Sequence, residues 1–213
     1  MSQAFQRVDT SRQEGYRLTL PGGAPMPDAM VRVYPDFCTA AERARWFDAL
    51  LQEIAWRDDP IRLFGREIPQ PRRFAWYGEE GVRYTYSGLT LYALPWTPVL
   101  VEIKHAVESV TACEFNSVLI NLYRDGRDSM SWHADDEPEL GPCPTIASVS
   151  LGGTRRFALR HRLNRQLRTH VDLTDGCLLV MSGSTQHFWH HQIAKTARPV
   201  APRINLTFRY IHA

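Results

Sequence analysis

His133-Ala-Asp135 sets an imidazole and a carboxylate two positions apart, the spacing at which side chains of an extended segment point to the same side. Farther along, His187-Phe-Trp-His190-His191 offers three more imidazoles. Two histidines and one carboxylate on one metal ion fill three adjacent positions and leave three open, the arrangement of non-haem Fe(II) oxygenases. An H-x-D pair is common by chance, and its spacing does not say which of His187, His190 and His191 would complete the set.

A third segment supplies the complement. In Arg203-Ile-Asn205-Leu-Thr207-Phe-Arg209 the alternation is strict: Ile204, Leu206, Phe208 and Tyr210 share one face of a strand, and Arg203, Asn205, Thr207 and Arg209 the other. A half-exposed sheet would solvate that polar face. Next to an iron triad the same face can bind a dicarboxylate instead, one guanidinium forking onto a carboxylate. Asn121 and Tyr123, in NSVLINLY, share a face in the same way and offer an amide and a phenol to such a pocket.

These residues need elements to hold them. Residues 1–30 are polar and broken by PGGAPMP, which reads as a surface arm with little regular structure. Val31–Val33 reads as a short strand. Thr39-Ala-Ala-Glu42 is a capping box opening an amphipathic helix with Trp46, Phe47, Leu50, Leu51 and Ile54 inward. Thr97-Pro98 starts a second helix with Leu100, Ile103, Val107 and Val110 inward. These two are expected to be the full set of helices. From Asn116 onward short β-branched runs (NSVLINLY, TIASVSLG, RRFALRHR, HVDLTDGCLLVM, INLTFRYI) separated by turn residues describe an antiparallel sandwich or barrel. The expected class is therefore α+β and mainly β: a jelly roll buttressed by two N-terminal helices.

Composition narrows the rest. The 213 residues are 44% hydrophobic and 23% charged, which excludes collagen-like, disordered and membrane-spanning chains. With neither a charged start nor an apolar run at the amino terminus, a cytoplasmic location is expected. Cys38, Cys113, Cys143 and Cys177 form no C-x-x-C pair and read as reduced core residues. Of 25 basic residues only Lys104 and Lys195 are lysines. From Leu140 to Val171 no acidic residue occurs, while Arg155, Arg156, Arg160, Arg162, Arg165 and Arg168 crowd one stretch, which suggests a polyanion contact surface.

Taken together, N-x-Y (Asn121, Tyr123), H-x-D (His133, Asp135), a downstream histidine and R-x-N-x-T-x-R (Arg203–Arg209) resemble the AlkB-type Fe(II)- and 2-oxoglutarate-dependent nucleic-acid dealkylases, in order and spacing, from about Ile61 to the C-terminus. YTYSGLTL, FNSVLIN, HADDE, IASVSLG and APRINLTFR are most similar to the branch that repairs alkylated double-stranded DNA. The resemblance implies a double-stranded β-helix core over 112–213 within a single domain over 31–213, and a nucleotide-recognition lid over 55–95. It selects His191, twelve residues before Arg203, as the ligand beside His133 and Asp135. It implies Fe(II), 2-oxoglutarate and O2, with Arg203, Tyr123, Asn121, Asn205 and Thr207 around the cosubstrate and Arg209 closer to the metal.

The implied substrate is DNA, single- or double-stranded, carrying N1-methyladenine or N3-methylcytosine, whose damaged edge is reached by flipping the base. RNA, protein or a small molecule, and a non-catalytic metal-binding jelly roll, are the competing readings. The resemblance assigns Tyr84 and Tyr86 to the base pocket, Asp136 and Glu137 to the exocyclic nitrogen, Phe64 to an apolar finger filling the vacated stack, Arg72 and Arg73 to phosphates, and Arg160 and Arg162 to a hairpin on the opposite strand. A monomer is expected, with no membrane partner.

Overall fold

The computed structural model describes residues 14–58, 61–63, 66–68, 70–86 and 89–212. In chain order they form β1 (Tyr16–Arg17), β2 (Met30–Tyr34), α1 (Ala40–Glu53), β3 (Ile61–Leu63), β4 (Arg66–Ile68), β5 (Arg73–Gly78), β6 (Arg83–Tyr86), β7 (Leu89–Tyr92), β8 (Leu94–Pro95), α2 (Pro98–Thr111), β9 (Ser117–Tyr123), β10 (Met130–His133), a 3-10 turn (Pro138–Leu140), β11 (Ile146–Gly152), β12 (Arg155–His161), β13 (Arg168–Leu173), β14 (Cys177–Ser182), α3 (Thr185–Phe188), β15 (Trp189–Ile193) and β16 (Arg203–Arg209). The major sheet runs β1-β2-β14-β11-β16-β9-β5-β8 and the minor sheet β10-β15-β12-β13; β3–β4 and β6–β7 are separate hairpins.

The helices start where the sequence directs. The Thr39 hydroxyl accepts the Glu42 amide N–H at 3.2 Å while the Glu42 carboxylate accepts that of Thr39 at 2.9 Å, closing the capping box. Thr97 caps α2, Pro98 opens it, and Ala112 ends it in the left-handed region at φ 51°. Trp46 and Leu50 of α1 and Leu100, Ile103 and Val107 of α2 are buried on one face of the major sheet, against Ile120, Leu151, Leu206 and Phe208. Burying each such side chain contributes roughly 1.5–3 kcal/mol. Leu51, expected inward, is 39% exposed because it falls on the flank of the α1 stripe.

A second core fills the space between the sheets, where Val31, Ile146, Leu179 and Met181 meet Phe157, Leu159, Leu173, Trp189 and Ile193. The described part of the amino-terminal segment belongs to it, which corrects the expectation of a surface arm. β1 pairs with β2, the Gly22 and Gly23 turn sits at φ 83° and 82°, and Leu18, Met26 and Ala29 are buried. Polar turn residues carried the composition of that segment and masked three apolar anchors. α3 is a third helix, a single turn that periodicity is too coarse to register. Among the cysteines Cys38 and Cys177 are core residues, but Cys113 is half-buried and Cys143 exposed. Among the described residues no helix is long and apolar enough to cross a membrane.

Candidate active site

The alternation of β16 puts Ile204, Leu206 and Phe208 into the helix-side core, so Arg203, Asn205, Thr207 and Arg209 must face the minor sheet. This face is not solvated: Arg203 is 1%, Thr207 7% and Asn205 8% exposed. Antiparallel register sets Tyr123 opposite Arg203 and Asn121 opposite Asn205. On the other side of β16, Ser150 lies opposite Asn205 and Ser148 opposite Thr207. Across the gap, β10 and β15 bring His133 opposite His191. Asn121, Tyr123, His133, Asp135, His191, Arg203, Asn205, Thr207 and Arg209 all line one cavity between the sheets.

His133, Asp135 and His191 each offer one ligand atom, and these atoms lie within 4.8 Å of one another. Nδ1 of His133 is 2.8 Å from the Ser131 carbonyl, to which it donates, leaving Nε2 for a metal. His191 Nε2 is 3.7 Å from Asp135 Oδ2, and its ring stacks on Phe157 with centroids 5.1 Å apart. Arg209 Nη2 donates to Asp135 Oδ1 at 2.6 Å, and the Asp135 amide donates to Oε1 of the fully buried Gln186 at 3.0 Å. One carboxylate oxygen is thus fixed by a guanidinium while the other faces His191. Two histidines and a carboxylate so arranged can hold Fe(II) and leave positions for other ligands.

Charge agrees with geometry. Burial acts to raise Asp135, but Arg209, His191 and His133 outweigh it and hold its carboxyl down to about 2. Burial pushes His191 down to about 3, with His133 adding to the shift and Asp135 opposing it. At neutral pH both groups therefore stand in the deprotonated form a metal requires, and Arg209 is the permanent cation beside the carboxylate.

Arg203 is the second anchor. Its Nη2 donates to the Ser150 hydroxyl at 2.8 Å, while Nε and Nη1 are buried with no hydrogen-bond partner among the described residues. Burial lowers its pKa, but a guanidinium stays charged at neutral pH. A buried cation with two undirected donors is costly unless an anion meets it. The carboxylate of a dicarboxylic acid fits that requirement. Asn205 Nδ2 is held by Ser148 Oγ at 2.8 Å and the Val149 carbonyl at 3.0 Å.

The other histidines of the cluster do not reach the cavity. His187 is exposed and bonds the Pro142 carbonyl. His190 lies one position out of phase on β15, opposite Arg160. Sequence reasoning missed Ser148, Ser150, Phe157, Met181 and Gln186. The serines were readable from TIASVSLG, where they alternate with Ala147, Val149 and Leu151; Gln186 left no signal.

The residues expected to meet a substrate are placed unevenly. Phe64 lies outside the described residues. Tyr84 and Tyr86 sit on β6 in register with Leu91 and Leu89. Arg72 turns inward rather than toward a phosphate, its Nε donating to Asn121 Oδ1 at 2.7 Å. Arg73 pairs with Asp58 at 3.0 Å. Asp136 and Arg162, read as separate contacts, pair with each other at 2.9 Å, and Arg160 lies over the Trp132 ring at 4.3 Å. Of the arginine block, Arg155 is buried and Arg156 is paired with Asp172 at 2.8 Å. The inward phase of β12 thus takes Arg155 out of the expected polyanion surface.

Comparison with known proteins places this geometry. The sequence pattern of the 2OG-Fe(II) oxygenase superfamily matches residues 30–209. The chain is 39% identical to the alpha-ketoglutarate-dependent dioxygenase alkB homolog 3 of Mus musculus, over 94% of this chain and 72% of the relative. It is 44% identical to the DNA oxidative demethylase ALKBH2 of Homo sapiens over 71% of this chain and 60% of the relative. Among solved structures, OsALKBH1 superposes with a TM-score of 0.61 at 17% identity, covering 84% of this chain and 97% of that one, which speaks for the fold.

Proposed function

The chain belongs to the AlkB-type family of the 2OG-Fe(II) oxygenase superfamily and is an Fe(II)- and 2-oxoglutarate-dependent dioxygenase, and from that premise we propose that it repairs alkylated DNA by removing N-methyl groups from bases such as N1-methyladenine and N3-methylcytosine. The observation that carries the reaction type is the shared cavity of the His133, Asp135 and His191 triad and the buried, incompletely bonded Arg203. The DNA substrate is supported by relatives named as DNA oxidative demethylases.

Iron, 2-oxoglutarate and O2, when bound, would supply the oxidising power to hydroxylate an N-methyl carbon, one oxygen atom of O2 going into succinate, formed with CO2, and the other into the methyl group, which would leave as formaldehyde. His133, Asp135 and His191 hold the metal. Arg203 binds the distal carboxylate, aided by Tyr123, Asn121, Asn205 and Thr207. Arg209 keeps Asp135 ionised and directs its free oxygen inward. The apolar lining from Met130, Phe157, Met181 and Ile193 keeps water from the reacting groups.

Methyl groups on the Watson–Crick edge are out of reach in a duplex, so the base is extracted at a cost of a few kcal/mol, lowest for lesions that cannot pair. Tyr84, Tyr86, Asp136 and Glu137 receive it, and Phe64 fills the gap. Phe64→Ala is expected to slow repair in duplexes and spare single strands; equal loss on both excludes the finger. Mass measurement of methylated oligonucleotides alongside succinate release tests the whole reading. Succinate without base demethylation would keep the oxygenase and discard this substrate.

A further inference from the structure

Arg155 opens the basic block of β12, yet it shares the inward face of that strand with Phe157 and Leu159 and is 3% exposed. Its Cζ lies 5.5 Å from the centre of the Tyr123 ring, and the Cζ of Arg203 lies 5.2 Å from the same centre. Tyr123 therefore carries two cation–π contacts inside the protein, where such contacts are strongest. Among the described residues the Arg155 guanidinium donates to backbone: to the Asp125 carbonyl at 3.1 Å and to those of Asp128 and Ala194, both at 2.8 Å.

Those carbonyls belong to the two loops that frame the site. Residues 124–129 join β9, with Asn121 and Tyr123, to β10, with His133; residues 194–202 join β15, with His191, to β16, with Arg203. The loops also meet directly. The Thr196 amide donates to the Gly126 carbonyl at 2.8 Å, and a Cβ at position 126 would run into the Thr196 carbonyl oxygen. One buried guanidinium thus ties both loops and the ring that lies against Arg203.

We propose that Arg155 is a positioning residue for the cosubstrate: it holds Tyr123 and the two framing loops in place, so affinity for 2-oxoglutarate depends on it while metal binding and nucleic-acid contact do not. The inference rests on Arg203 being the partner of the distal carboxylate. The full chain would be titrated calorimetrically with 2-oxoglutarate in the presence of Mn(II), a redox-silent probe, and separately with Mn(II) alone. Arg155→Met is expected to weaken 2-oxoglutarate binding about tenfold to thirtyfold, the size of a desolvated cation–π contact, and Arg155→Lys less. Mn(II) affinity and kcat at saturating cosubstrate should stay within about twofold, so the loss appears in KM.

Unchanged 2-oxoglutarate affinity in both variants, or a parallel loss of Mn(II) affinity, overturns the proposal. So does a shallower salt dependence of oligonucleotide binding with the cosubstrate unaffected. A wild-type protein that binds no 2-oxoglutarate overturns the cosubstrate reading itself. Should neither variant fold, hydrogen exchange of the wild type decides: 2-oxoglutarate should protect the amides of both 124–129 and 194–198, and protection of neither contradicts the proposal.

Discussion

β16 and β12 both carry arginines, and the fold uses them in opposite ways. On β16, Arg203 and Arg209 point between the sheets, where one keeps unspent donors and the other grips Asp135. On β12, Arg156 and Arg160 point outward, to Asp172 and Trp132, while Arg155 alone turns inward. Phase along the strand, rather than the number of charges, separates cosubstrate chemistry from surface chemistry. A guanidinium out of water keeps fixed partners; an exposed one trades among phosphates, carboxylates and solvent.

That contrast can be broken most severely at the metal ligands. His191→Ala should abolish Fe(II)-dependent succinate release and Mn(II) binding, whereas His190→Ala, on the opposite face of the same strand, should leave Mn(II) affinity within about threefold. Comparable losses would contradict this phase of the strand. Next in size is Arg203→Met, expected to cost about 2–4 kcal/mol of 2-oxoglutarate affinity, on the order of a hundredfold by calorimetry. Arg165→Gln and Arg168→Gln on the exposed hairpin should leave that affinity alone and each reduce the salt slope of oligonucleotide binding by about 1. Arg156→Gln removes only an exposed pair and should change stability by less than about 1 kcal/mol.

The apo-protein gives a pH-dependent version of the same contrast. His191 is held down to about 3, so between its ordinary value near 6.5 and 3 the unfolded chain binds a proton that the folded chain refuses. Stability should therefore fall as pH drops through that window. Asp135, held at about 2, adds a loss that begins below its ordinary carboxylate range and completes near 2. Thermal melts of metal-free wild type and His191→Ala across pH 3–7 should differ in slope, and identical slopes would contradict the buried, neutral His191.

Much of this was legible in the residues. The capping box at Thr39, the Thr97-Pro98 start and the strict alternation of β16 are local signals, and local signals survive folding. Asn121, Tyr123, His133 and Asp135 were readable because each pair shares a strand face or follows one. Choosing His191 among three histidines took the family's spacing, since a run of adjacent imidazoles has no local asymmetry. Gln186 and the inward turn of Arg72 stayed hidden because their partners, Asp135 and Asn121, are distant in sequence. Arg155 was legible in principle: its phase matches Phe157 and Leu159, but the surrounding charge concealed it.

The most direct test is the stoichiometry of the reaction. Anaerobically Fe(II)-loaded protein would be exposed to air, 2-oxoglutarate and an oligonucleotide carrying N1-methyladenine. One succinate and one formaldehyde are expected per restored adenine, and neither product from His133→Ala. Succinate that accumulates at the same rate whether or not the methylated base is present, with the base left intact, would contradict this.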